Sequence, residues 1–343
     1  MRILCGSFLL MAAGLAWTCW AADTTAQSQP SLRAAWPMPA VCEPFGEPRI
    51  KDLKEELRQT GYRLVIAIHP DKPPTPKGEY PPRDLYIINA DGTGLKQLTS
   101  TPDKEERVPR VSPDGKWFTY NYGDFLVDAK TLKTRSAGGA YVWAPDSKRT
   151  VSCEKRGLVY TDMETGKESP PVKVARRVDV LDLSADGKWF IFELRNYLGH
   201  EYTIDFMSAD GGAIRTLPNH SVKAGECHPA FSPDGKWMCW NAGESLAVRR
   251  FEPSLPEGTA GEVVTLPKEK LGQDPCGRWS HCGRYIAFVK IPPEGSWKVH
   301  SPICIVRVAD GQTITLSPPG WVGHHWDYDW LPAAEPATAE SRP

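Results

Sequence analysis

Ser112-Pro113-Asp114-Gly115-Lys116-Trp117 is written again at Ser184-Ala185-Asp186-Gly187-Lys188-Trp189 and at Ser232-Pro233-Asp234-Gly235-Lys236-Trp237. Three copies of so specific a phrase mark an internal repeat. Weaker copies stand at Ala144-Pro145-Asp146-Ser147-Lys148-Arg149 and Ser280-His281-Cys282-Gly283-Arg284-Tyr285, and Gly61-Tyr62-Arg63 reads as the tail of a sixth. Units of roughly 30 to 50 residues fall in the range of solenoids and propellers.

The phrase has the chemistry of a tight hairpin turn. Proline presets φ, aspartate bonds its own backbone, and glycine accepts positive φ. A run rich in aromatic and β-branched residues follows: Trp117-Phe118-Thr119-Tyr120, Trp189-Phe190-Ile191-Phe192, Trp237-Met238-Cys239-Trp240 and Tyr285-Ile286-Ala287-Phe288. These runs are predicted as second strands. Third strands lead into Ala-Asp-Gly turns, as Leu85 to Ile88 before Ala90-Asp91-Gly92 and Ile305 to Val308 before Ala309-Asp310-Gly311, and a short fourth strand such as Leu95 to Leu98 ends each unit. Four short antiparallel strands cannot cover both faces of their own sheet, so the units must stack radially. The expected fold is all-β, a six-bladed propeller of four-stranded antiparallel blades.

The first unit opens directly on its second strand, Leu64 to Ile68, while a surplus strand, Trp326 to Pro332, follows the last unit. The C-terminal strand is therefore expected to complete blade 1 and close the ring. Ahead of the ring, Ile50, Leu53 and Leu57 recur at helical spacing and stop before Gly61, which predicts a short amphipathic helix packed on the propeller. The expected organisation is a signal peptide at 1–22, linker and helix at 23–60, propeller at 61–332 and a disordered tail at 333–343.

These Ser-Pro-Asp-Gly-Lys-Trp and Ala-Asp-Gly turns resemble the repeats of the TolB-like, or WD40-like, β-propeller family, which also includes propeller domains of prolyl-oligopeptidase-type peptidases. The resemblance covers residues 61–332 and implies a fold, because the matching residues build hairpins. TolB itself carries an α/β domain before its propeller and works with an envelope lipoprotein. Only the segment 23–60 precedes the ring here, so the resemblance is to the propeller alone and TolB's own role is not expected. The peptidase relatives add an α/β-hydrolase domain, whereas this chain has no Gly-x-Ser-x-Gly elbow.

Forty-one lysines and arginines nearly cancel 42 aspartates and glutamates, which leaves no overall field to gather nucleic acid or anionic lipid. Arg2, the apolar run Ile3 to Trp17 and the small residues Ala21-Ala22 form a secretory signal, too short to span a bilayer. The expected location is periplasmic or secreted, without a membrane span after cleavage. Seven cysteines remain beyond the signal, and Cys227 with Cys239 flank one hairpin, as a candidate disulfide or as buried free thiols.

Lining up the residue before each turn (Val111, Trp143, Leu183, Phe231, Trp279, Trp330) compares the blades. One step back stand Arg110, Val142, Asp182, Ala230, Arg278 and Asp329, which places Asp329 between Arg278 and Arg110 as a structural ion-pair cluster. Trp117, Trp189 and Trp237 share one repeat position and are expected in the core. Nearer the strand entrance, Glu106, Glu226, Asp274 and His325, with His324, His228 and Asp327, are expected to converge on one mouth. Trp326 and Trp321 flank the histidine pair and offer a stacking surface.

With no catalytic or nucleotide-binding signature, the expected function is an exported binding scaffold for a protein or small polar ligand, needing no cofactor. The alternative is a metal-dependent saccharide lyase or hydrolase, because carboxylates and histidines together suit a divalent metal, and oligogalacturonate lyases are related propellers with a histidine-rich metal site. If the C-terminal strand closes the ring, a chain truncated at Val322 should lose its cooperative fold. Protease resistance equal to that of the full chain would exclude closure by that strand.

Overall fold

The computed structural model describes residues 44–69, 82–101, 103–140, 142–154, 157–174, 179–195, 202–217, 227–243, 245–254, 262–266, 276–290, 302–316 and 327–333. They form six four-stranded antiparallel sheets. Blade 1 consists of Tyr328–Leu331, Arg63–Ile68, Asp84–Asn89 and Lys96–Gln97, from axis to rim, and blade 2 of Arg110–Val111, Trp117–Tyr120, Phe125–Asp128 and Thr134–Ser136. Blade 3 has Val142–Trp143, Arg149–Glu154, Gly157–Asp162 and Val172–Lys173; blade 4 has Asp179–Leu183, Trp189–Arg195, Tyr202–Ser208 and Arg215–Thr216. Blade 5 has Cys227–Phe231, Trp237–Ala242, Ser245–Arg250 and Val264–Leu266; blade 6 has Arg278–Trp279, Tyr285–Val289, Ile303–Arg307 and Thr313–Leu316. Each first strand touches the first strands of both neighbouring blades, so the innermost strands make a closed ring.

Closure is by the C-terminal strand. Tyr328–Leu331 pairs antiparallel with Arg63–Ile68, Leu331 opposite Arg63 and Tyr328 opposite Ile66.

The repeated turn works as its residues require. Ser112 Oγ donates to Asp114 Oδ1 at 2.7 Å and accepts from the Trp117 N–H at 3.1 Å, while Lys116 N–H also reaches Asp114 Oδ1. Ser184 with Asp186 and Ser232 with Asp234 repeat the hydroxyl-to-carboxylate bond at 2.6 Å. Gly115, Gly187, Gly235 and Gly283 all take φ near +70°, and Ser147 adopts the same left-handed conformation where blade 3 lacks the glycine.

Six apolar clusters fill the six joints between blades. Leu64, Ile66 and Ile68 of blade 1 face Tyr285, Ala287 and Ile305 of blade 6, whereas the intervening Val65 and Ala67 face Phe118 and Val127 of blade 2. Ile286 and Phe288 of blade 6 likewise meet Cys239 and Val248 of blade 5. Because alternate residues serve opposite neighbours, both faces of a middle strand are buried, and the sequence there is continuously apolar rather than alternating. Trp117, Trp189 and Trp237 depart from the sequence expectation: they are only half-buried, packed over the cluster edges. Among the described residues, the fully enclosed tryptophans are Trp330 and Trp240.

The helix spans Leu53–Thr60, with Asp52 accepting the Glu55 N–H at 2.8 Å as N-cap and Gly61 at φ +66° as C-cap. Ile50 lies ahead of it, and its carbonyl accepts from Arg307 instead. Leu53 and Leu57 enter the apolar cluster of the blade 6 to blade 1 joint. Glu56, buried, accepts from Tyr285 Oη at 2.6 Å and pairs with the equally buried Arg307, which also binds Asp310, Gln312 and the Lys51 carbonyl. The helix is thus bolted over the joint where the chain ends meet.

Cys227 and Cys239 form no disulfide with each other, because the hairpin register sets Cys227 opposite Asn241 and Cys239 opposite Ala230. Replacing Trp330 by alanine should destabilise the ring by about 3–5 kcal/mol, the usual cost of emptying a buried tryptophan site. Denaturant unfolding checks this, with unchanged midpoint arguing against a ring held at that strand.

Candidate functional site

Each innermost strand pairs on one side only, so its remaining N–H and C=O groups need partners from elsewhere. The residues just before the turns supply them. Trp143 Nε1 donates to the Arg110 carbonyl at 3.0 Å, Trp279 Nε1 to the Ala230 carbonyl at 3.3 Å and Trp330 Nε1 to the Arg278 carbonyl at 2.8 Å, each reaching back one blade. Aspartates reach forward: Asp329 Oδ2 accepts the Val111 N–H at 2.8 Å and Asp182 Oδ2 the Phe231 N–H at 2.7 Å. The expected ion pairing of Asp329 is thereby corrected. Its second oxygen takes the Trp330 N–H, so both oxygens are bonded to backbone and Arg278 acts on it through space.

Charges nevertheless meet across the axis. Arg278 of blade 6 is held in its charged form, against burial, by Cys276 ahead of its own strand, by Asp329 of blade 1 and by Asp182 of blade 4. Asp182 is pushed up to about 6 by burial, opposed by Arg278 and by the N–H groups of Phe231 and Leu183. These side chains border the axial space and retain some exposure, yet protein surrounds them closely enough to desolvate them. Each aspartate accepts one backbone N–H on each oxygen, and among the described residues no acceptor meets the buried Arg278 Nε. His281 occupies the proline position of the blade 6 turn, its Nε2 3.0 Å from the Trp330 carbonyl, and burial holds its pKa below the usual histidine range.

The residues expected to converge at the mouth have different fates. Glu106 is buried against blade 1, where Thr99 and Thr101 donate to its two oxygens and burial raises its pKa. Asp327 has no exposure: it pairs with Arg83 and accepts the Val108 N–H at 3.1 Å. Neither carboxylate faces a mouth, because each satisfies neighbouring strand ends. Glu226, Asp274, His324, His325 and Trp326 lie outside the described residues, as does Trp321.

His228 is the member of the set that stands where chemistry is available. It is the second residue of the innermost strand of blade 5, with φ +56°, a conformation costing a non-glycine residue on the order of 1–3 kcal/mol. Val108 takes the same conformation at the equivalent place in blade 2, φ +51°, also before a proline. A carboxylate from the preceding blade holds each N–H: Asp327 for Val108, and Glu193 for His228 at 2.8 Å. Glu193, Cys227 and His228 bring one ligand atom each within 4.8 Å of one another, and Asn241 Nδ2 donates to Cys227 Sγ at 3.2 Å. Glu193 and Cys227 were not singled out in the sequence. Cys227-His228 is a visible dipeptide, but Glu193 comes beside it only because two blades pack there.

No protein-family model and no curated protein sequence matches the chain. Among solved structures it is similar to TolB from Acinetobacter baumannii, at 18% identity and a TM-score of 0.57, covering 79% of this chain and 66% of that one. A structure described as TolB from Agrobacterium tumefaciens aligns at 17% identity and a TM-score of 0.48, over 80% of this chain and 99% of that one. This chain is a six-bladed β-propeller of TolB-like fold.

The raised pKa of Asp182 fixes the sign of a pH effect. The folded state binds that proton more tightly than the unfolded chain, so the contribution is full below about pH 4 and is lost as pH rises through about 6. Relative to Asp182→Asn, the wild-type protein should lose on the order of 2 kcal/mol between those limits, read from denaturant midpoints. A pH-independent difference would contradict a protonated Asp182 in the fold.

Proposed function

We propose that the chain is an exported binding scaffold whose axial channel holds an acceptor-bearing polar ligand, a peptide segment or a small zwitterion, on Arg278. The Nε of that guanidinium, buried with no hydrogen-bond partner among the described residues, carries the reading. A charge taken out of water without a hydrogen-bonded partner is costly, and a guanidinium offers five N–H donors in a planar fork suited to carboxylates and carbonyls. Asp182 and Asp329 help keep Arg278 charged while their oxygens accept backbone N–H groups. A ligand carboxylate or peptide carbonyl is the complementary group, and the carboxylates nearby favour one that also carries positive charge.

Rigidity supports the same reading. A ring closed by strand pairing and saturated between blades holds its channel groups in fixed geometry, so little ordering cost falls on binding. Export rests on the N-terminal signal pattern, and among the described residues no helix is long and apolar enough to cross a membrane.

Arg278→Met keeps the volume and removes the donors. With glycylglycine and with acetate as probes, the wild-type protein should show saturable chemical-shift changes at the channel residues, and the variant at least tenfold weaker binding at unchanged or higher melting temperature. Equal binding by the two proteins, or none by the wild type, would exclude Arg278 as the ligand contact.

A further inference from the structure

We infer that Glu193, Cys227 and His228 form a binding site for a zinc-class divalent cation at the joint between blades 4 and 5. The site is built by two different blades. Glu193 lies near the end of the second strand of blade 4, and Cys227 and His228 open the first strand of blade 5. One carboxylate oxygen, one thiol sulfur and one imidazole nitrogen lie within 4.8 Å of one another. Bonds of about 2.0–2.3 Å in a tetrahedral zinc site place ligand atoms roughly 3.3–3.8 Å apart, so side-chain rotations closing the triangle by about 1 Å complete it.

The donor types choose the metal. Thiolate with imidazole suits zinc and its borderline neighbours, whereas magnesium and calcium require shells of oxygen. The backbone organises the set before any cation arrives: the Glu193 carboxylate receives the His228 N–H at 2.8 Å, and His228 is fixed in its left-handed conformation ahead of Pro229. Asn241, itself buried, donates to Cys227 Sγ at 3.2 Å and so fixes where the sulfur points. Val108, at the equivalent place in blade 2, has the same backbone but no ligating side chain, and its supporting Asp327 is paired with Arg83. The strained backbone is thus a shared feature of the fold, and ligating residues are set on it in blade 5.

Three protein ligands leave one of four positions for water or a ligand group. The inference stands apart from the Arg278 channel reading, since the metal ligands and Arg278 share no residue.

Cobalt(II) titration of the full chain tests it. The wild-type protein should take up one equivalent and develop the near-ultraviolet thiolate-to-cobalt charge-transfer band with tetrahedral visible bands, and zinc should displace them. Cys227→Ser should abolish the charge-transfer band, Glu193→Gln and His228→Gln should weaken cobalt binding at least tenfold, and Arg278→Met should leave both unchanged. Zinc content after dialysis should follow the same order. A wild-type protein that binds no cobalt, or binds it without the thiolate band, overturns the site. So does undiminished binding in Glu193→Gln and His228→Gln, whatever Cys227→Ser does to folding.

Discussion

An innermost strand that pairs on one side only exposes a row of backbone donors and acceptors at the place where six blades crowd together. The whole ring depends on how those groups are satisfied. Tryptophan indoles give N–H to the preceding blade's carbonyls at Trp143, Trp279 and Trp330, and aspartate carboxylates take N–H from the following blade at Asp182 and Asp329. Blades 3 and 4 meet differently, with Val142 and Leu183 at the corresponding positions inside an apolar cluster. Each polar bond is modest alone, but the buried backbone group it satisfies would cost about 1–3 kcal/mol if left unpaired.

This constraint also shapes the channel. An aspartate used to hold the next blade is desolvated and bonded to backbone N–H groups, and it helps sustain the charge of Arg278 through space. The carboxylates that staple blades together thus also set the electrostatics of the innermost strands. The same logic acts at the strand entrance, where a carboxylate that holds a left-handed N–H becomes, at Glu193, one corner of a metal triangle.

Closure ties the two chain ends into one load path. Trp330 lies in the last strand, stacks near Tyr285 of blade 6 and meets Tyr62 before the first strand. Above this joint the helix inserts Leu53 and Leu57, and Glu56 meets Arg307. A buried ion pair of this kind is weak evidence for net stability, but losing one partner strands the other, so it fixes where the helix docks.

The sequence by itself determined the blade count, the turns and the closing strand, since these depend on local chemistry: serine, aspartate and glycine at fixed offsets can only build that hairpin, and a missing first strand must be supplied by a surplus one. The partners of isolated polar residues were decided by tertiary structure alone. Nothing local says that Glu106 turns to Thr99 and Thr101, that Asp327 pairs with Arg83, or that Asp329 holds a backbone N–H in place of an arginine. Those outcomes follow from which neighbouring blade offers an unsatisfied group within reach. A glutamate, a cysteine and a histidine that look unrelated in the chain likewise come together at one joint only because two blades pack there.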